Sequence, residues 1–85
     1  MIRVTLKLYA SLGKYLPPGC GLDHAVSVEV PAGTTMTDLV AKFSVPEVAC
    51  FLVLVNGVFL PPSQRASAHF ADGDTIAIWP PVAGG

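Results

Sequence analysis

Charge is scarce in this chain of 85 residues, and positive charge is scarcest: the five cations, Arg3, Lys7, Lys14, Lys42 and Arg65, are scattered and face six acidic residues, for a formal charge of −1. No basic stripe exists to neutralise phosphates, so nucleic acid is not an expected partner. Long apolar runs are missing too. The longest, Val48 to Val55, falls far short of the ~20 residues that cross a bilayer, and Met1-Ile2-Arg3 opens a strand-like alternation rather than a signal peptide. The chain reads as soluble and cytoplasmic, with no membrane partner. Cysteine is nearly absent: Cys20 and Cys50 are too few for a disulfide scaffold, and they form neither a C-x-x-C pair nor a metal set with His24 and His69. Both thiols are expected to be reduced, and no metal is expected. Phosphate cradles of the G-x-x-x-x-G-K-[ST] or G-x-G-x-x-G type are lacking, and no Ser-His-Asp or Cys-His arrangement follows from spacing. Asp72-Gly73-Asp74 is followed by Thr75-Ile76-Ala77, which offers no further carboxylates for a calcium loop, so it reads as a turn. An enzyme acting alone would have little to work with.

What the chain has is apolar residues, 52% against 13% charged, which excludes disorder, within a length that limits it to one domain. Ile2, Val4, Leu6 and Leu8 alternate with Arg3, Thr5, Lys7 and Tyr9 as a half-buried strand. Ala10 to Leu16 reads as a short helical turn with Leu12, Tyr15 and Leu16 inward, ended by Pro17-Pro18-Gly19-Cys20-Gly21. Val26, Val28 and Val30 mark a second strand, antiparallel to the first. Thr34 or Thr35 can cap a helix in which Met36, Leu39, Val40 and Phe43 recur at i, i+3, i+4 and i+7, with Asp38 near its positive end. Phe51 to Val55, Asn56-Gly57 and Val58 to Leu60 spell a hairpin with a type I′ turn. After a wandering connection to Phe70 and the Asp72-Gly73-Asp74 turn, Thr75 to Trp79 forms the last strand, with Ile76 and Ile78 inward. Strand, strand, helix, strand, strand, strand with one amphipathic helix is an α+β roll, a sheet gripping a helix on one face.

Two features exceed what a purely structural domain needs. Pro80-Pro81 stiffens the end of the chain into an extended segment that reaches roughly 20 Å by Gly85. Gly84 and Gly85 carry no Cβ, so such a tail can enter a narrow slot and present an anionic α-carboxylate, a nucleophile toward the α-phosphate of ATP. The alternative is a frayed end. The second feature is parity: Tyr9 and Trp79 fall on the side opposite the Ile/Val/Leu face, and Phe59 stands in the same relation to Val58 and Leu60. They form either a small cluster under the 61–70 loop or an aromatic patch that docks a partner.

The strand Ile2-Arg3-Val4-x-Leu6 running into Tyr9-Ala10-Ser11-Leu12, the Val55-Asn56-Gly57 hairpin, Asp72-Gly73-Asp74, and above all Pro80-Pro81-Val82-Ala83-Gly84-Gly85 resemble the small subunit of molybdopterin synthase and its sulfur-carrier relatives, over nearly the whole chain. The resemblance implies a ubiquitin-like β-grasp, a mixed sheet of about five strands on one main helix, with a body over residues 1–79 and a tail over 80–85. It also implies that a ubiquitin-activating-type adenylyltransferase consumes ATP to adenylate Gly85, that a thiocarboxylate follows, and that the large synthase subunit admits the tail within a heterotetramer. The carrier itself would bind no cofactor and hold no catalytic groups of its own. Gly84 and Gly85 match the family's last two positions, and Tyr9, Phe59 and Trp79 match its partner-facing sheet. Pro80, Pro81 and Val82 would lie along the partner. The short segment Ser44 to Cys50 and Gly13-Lys14 depart from the family pattern. Other readings share the activated tail: a carrier for thiamine thiazole or another sulfur-containing metabolite, and a ubiquitin-like protein modifier. A plain interaction module with an idle tail remains as a further class.

Overall fold

The computed structural model describes residues 1–16 and 25–81. Cys20 and His24 of the first loop, and Val82 to Gly85 of the tail, lie outside the described residues. Strand β1 (Ile2–Leu8) pairs antiparallel with β2 (Ala25–Val30), from Ile2 opposite Val30 to Lys7 opposite Ala25. Helix α1 (Met36–Lys42) follows, then β3 (Leu52–Val55), β4 (Val58–Phe59) and β5 (Thr75–Trp79). The sheet order is β2-β1-β5-β3-β4, with β5 parallel to β1 and antiparallel to β3. Short 3-10 turns at Ala10–Tyr15, Glu47–Ala49 and Pro62–Gln64 fill the connections. The mixed five-stranded sheet on one helix is the expected α+β roll.

Each element follows from local chemistry. Of the two candidate caps, Thr35 takes the role: its hydroxyl accepts from the Asp38 N–H at 3.3 Å while the Asp38 carboxylate accepts from the Thr35 N–H, a reciprocal capping box. Thr34 instead donates its hydroxyl to the Pro31 carbonyl at 2.7 Å. Because the helix has only seven residues, too few to be stable without packing, the cap matters. Thr35→Ala is expected to lower folding stability by about 1 kcal/mol, measurable as a shift of the urea midpoint at unchanged slope.

Asn56 and Gly57 both adopt positive φ, 52° and 82°, as a type I′ hairpin requires. The Asp72-Gly73-Asp74 turn is a clasp. Asp72 accepts from the Arg3 N–H at 2.8 Å, the Gly73 N–H donates to the Arg3 carbonyl, and Asp74 accepts from the Ala71 N–H and the Asn56 side-chain amide. Asn56 Oδ1 in turn accepts from the Thr75 N–H. The start of β1, the hairpin turn and the start of β5 are thereby locked in register.

Val4, Leu6 and Leu8, Val53, and Ile76 and Ile78 present one apolar face to Met36, Leu39 and Val40, closed by Leu12, Val45, Leu60 and Phe70. Val58 departs from the parity expectation. Its partner Val55 packs against the core, yet Val58 is 69% exposed. β4 is a two-residue strand at the edge of the sheet, so Val58 has a neighbouring strand on one side only. Phe51 also lies just outside β3 and is 65% exposed, although its N–H still donates to the Trp79 carbonyl.

Candidate partner-binding surface

The side of the sheet away from α1 is built by register. Lys7, Ala77, Leu54 and Phe59 stand in one row across β1, β5, β3 and β4, and Leu52 and Trp79 in the next. Tyr9 continues this face beyond β1, its N–H donating to the Ile78 carbonyl at 3.1 Å. The chain then turns sharply at Ala10, whose φ is 52°. The rings of Tyr9 and Trp79 stack in parallel, with centroids 4.5 Å apart and planes within 7°. Both are half-buried, and Phe59 is 52% exposed.

The structure therefore brings Tyr9 and Trp79 together and puts Phe59 on the same face, two strands away, a spacing of about 10 Å. Half-buried Leu52 and Leu54 fill the interval. Sequence parity left these two leucines unassigned, because the uninterrupted apolar run through them hides the alternation. The Asn-Gly turn carried the missing signal, since a two-residue loop sets Leu54 opposite Phe59. The surface is an aromatic and aliphatic band with Lys7 at its margin, suited to burying apolar area against a protein.

The tail starts at this band. The Trp79 carbonyl accepts from the Phe51 N–H at 3.0 Å, the last bond of the ladder. Pro80, half-buried, and Pro81, exposed, carry no N–H, so sheet pairing stops and the chain departs. Val82, Gly84 and Gly85 fall outside the described residues.

Other sequence candidates lie elsewhere. His69 is exposed beside Thr35, its Nδ1 3.2 Å from the Gly33 carbonyl. The Cys50 thiol is buried on the helix side, 3.6 Å from the Pro46 carbonyl. Among the described residues no three His, Cys, Asp or Glu side chains converge as metal ligands, and no helix is long and apolar enough to cross a membrane.

The model of the ThiS family matches residues 20–85. Among solved structures, the chain is similar to SAMP1 from Haloferax volcanii, with a TM-score of 0.65 and 27% identity over 98% of this chain and 99% of that one. It is also similar in fold to a putative molybdopterin converting factor, subunit 1, from Pyrococcus furiosus, with a TM-score of 0.63 and 19% identity over 96% of this chain and 100% of that one. No curated protein matches in sequence. With the β-grasp sheet, the single helix and a family match over most of its length, the chain belongs to the ThiS family of ubiquitin-like sulfur carriers.

Proposed function

We propose that this carrier is the small subunit of a molybdopterin synthase, cytoplasmic, and delivers sulfur to a pterin precursor as a thiocarboxylate on Gly85. The observation that carries the reading is that Pro80-Pro81 leaves the sheet at the stacked Tyr9–Trp79 pair and that Val82-Ala83-Gly84-Gly85 follows in the sequence. A partner that docks on the rings is then set to receive the tail. In the activating partner, the Gly85 carboxylate attacks the α-phosphorus of ATP and pyrophosphate leaves. A sulfide-level donor attacks the resulting acyl-adenylate, AMP departs with the C–O bonding pair, and the thiocarboxylate remains. The carrier binds no cofactor in this scheme and contributes no acid or base; ATP is a substrate of the partner. Gly84 and Gly85 allow close approach because neither brings a Cβ to the slot, and Pro80, Pro81 and Val82 line the approach.

The test supplies the activating enzyme, ATP and sulfide, and follows the intact mass. A gain equal to the difference between sulfur and oxygen at the C-terminus is expected, and an unaltered mass overturns the proposal. The acceptor is read by capture with the thiolated carrier. A pterin synthase large subunit is expected, whereas a thiazole-forming enzyme or covalent attachment to lysines moves the chain to those roles.

Trp79→Ala is expected to weaken binding to the large subunit by roughly 30-fold, the effect of losing an aromatic anchor worth about 2 kcal/mol. Calorimetric titration of a variant with unchanged secondary structure checks this. Undiminished affinity would remove the rings from the interface.

A further inference from the structure

On the opposite side of the sheet, α1 and the turns at Glu47–Ala49 and Pro62–Gln64 surround a pocket of about 250 Å³, lined by Met36, Thr37, Val40, Val48, Cys50, Pro62 and Arg65. Its floor is apolar and buried, whereas Val48 on its rim is 89% exposed, a large cost in exposed apolar surface for a residue with no part in the core. Arg65 is half-buried and donates from Nη1 to the Cys50 carbonyl at 2.6 Å and from Nη2 to the Phe51 carbonyl at 3.3 Å. Its Nε is shielded from water without an acceptor. The ion pair found among the described residues joins Arg3 and Glu29, so within that set Arg65 meets carbonyl dipoles and no carboxylate. A guanidinium keeps its charge in a protein, and this one stands at the wall of a mixed pocket, with only carbonyl oxygens against it among the described residues.

We infer that this pocket is a second docking surface, which takes an extended peptide segment of a partner protein carrying an aliphatic side chain beside a carboxylate. The volume is below the usual range of cofactor pockets, about 300–1,000 Å³, and fits a single side chain. The aliphatic group covers Val48 and fills the space over Met36 and Val40; the carboxylate brings a negative charge to the Arg65 guanidinium. Because the sheet separates this pocket from the Tyr9–Trp79 band, both surfaces can be occupied together. A carrier docked through its rings thus keeps a handle for another protein. This inference does not depend on the identity of the sulfur acceptor.

The test titrates N-acetyl-Leu-Glu-amide into the isotopically labelled full chain and follows side-chain resonances. Saturable shifts at Met36, Val40, Val48 and the Arg65 guanidinium are expected, with about tenfold weaker binding of the Leu-Gln analogue. Arg65→Gln should weaken binding similarly. Since that change also releases two carbonyls, Val48→Asp, at an exposed site, provides the second reading: binding lost with an unchanged melting temperature. Absent shifts, shifts at Tyr9, Leu54 and Trp79 instead, or equal binding of both peptides would overturn the inference. So would binding that emerges only after removal of residues 82–85, which would make the chain's own tail the occupant.

Discussion

Leu6→Ala is expected to destabilise the fold by about 3–5 kcal/mol, the upper part of the range for leucine truncation in a core. Leu6 is fully buried in β1, the second strand of the sheet, between Val26 of β2 and Ile76 of β5. Strands on both flanks are held by ladder hydrogen bonds, so the backbone cannot close on the vacated volume, and the cavity term persists. For a domain of this size, with a total stability of roughly 4–13 kcal/mol, such a loss lowers the melting temperature by tens of degrees, at about 4–8 °C per kcal/mol. Ile78→Ala, equally buried between Leu8 and Val53, should behave alike. Val58→Ala serves as the contrast, since an exposed edge residue changes stability by no more than about 0.5 kcal/mol. Thermal melts of the three variants check the ranking, and a Leu6→Ala melt within a few degrees of the parent would contradict the packing.

The burial of Leu6 and Ile78 was legible in the sequence, because strict alternation over Ile2 to Leu8 and Thr75 to Trp79 states which side chains share a face, whereas the exposure of Val58 ran against its parity. The Asn56-Gly57 turn was legible for a similar reason: few residues adopt two successive positive φ values. Long-range pairing was not. Nothing local to Leu6 or Ile76 announces that the first and last strands lie parallel and adjacent, a contact across seventy residues of chain. Nor does Asp72-Gly73-Asp74 reveal that it clasps Arg3 and Asn56 as well as turning the chain. The aromatic band was half legible. Tyr9 and Trp79 were distinguished because alternation sets them opposite the aliphatic face, whereas Leu52 and Leu54 were camouflaged among equally apolar neighbours. Arg65 read as one scattered cation, because its carbonyl partners carry no sequence signature.

Deleting Gly85 alone is expected to reduce thiocarboxylate formation by at least about 100-fold, without measurable loss of stability. The shortened chain still ends in a glycine carboxylate, so charge, nucleophilicity and the absence of a side chain are retained; only position changes. One residue of extended backbone is about 3.5 Å, and a displacement of about 1 Å from the attack geometry is enough to slow a reaction about 100-fold. The body has no means of compensating, because the ladder bond at Trp79 and the rigid Pro80-Pro81 pair fix where the tail begins. Among the described residues the core ends at Ile78, so folding should not register the deletion. Gly85→Ala, which restores the length but adds a Cβ, separates the two requirements. If reach alone governs activation it should recover most of the rate, and if the slot excludes side chains it should remain as inactive as the deletion. Intact-mass spectrometry of each variant after incubation with activating enzyme, ATP and sulfide reads the outcome. Full thiolation of the shortened chain would show that the tail's length does not govern delivery of the carboxylate.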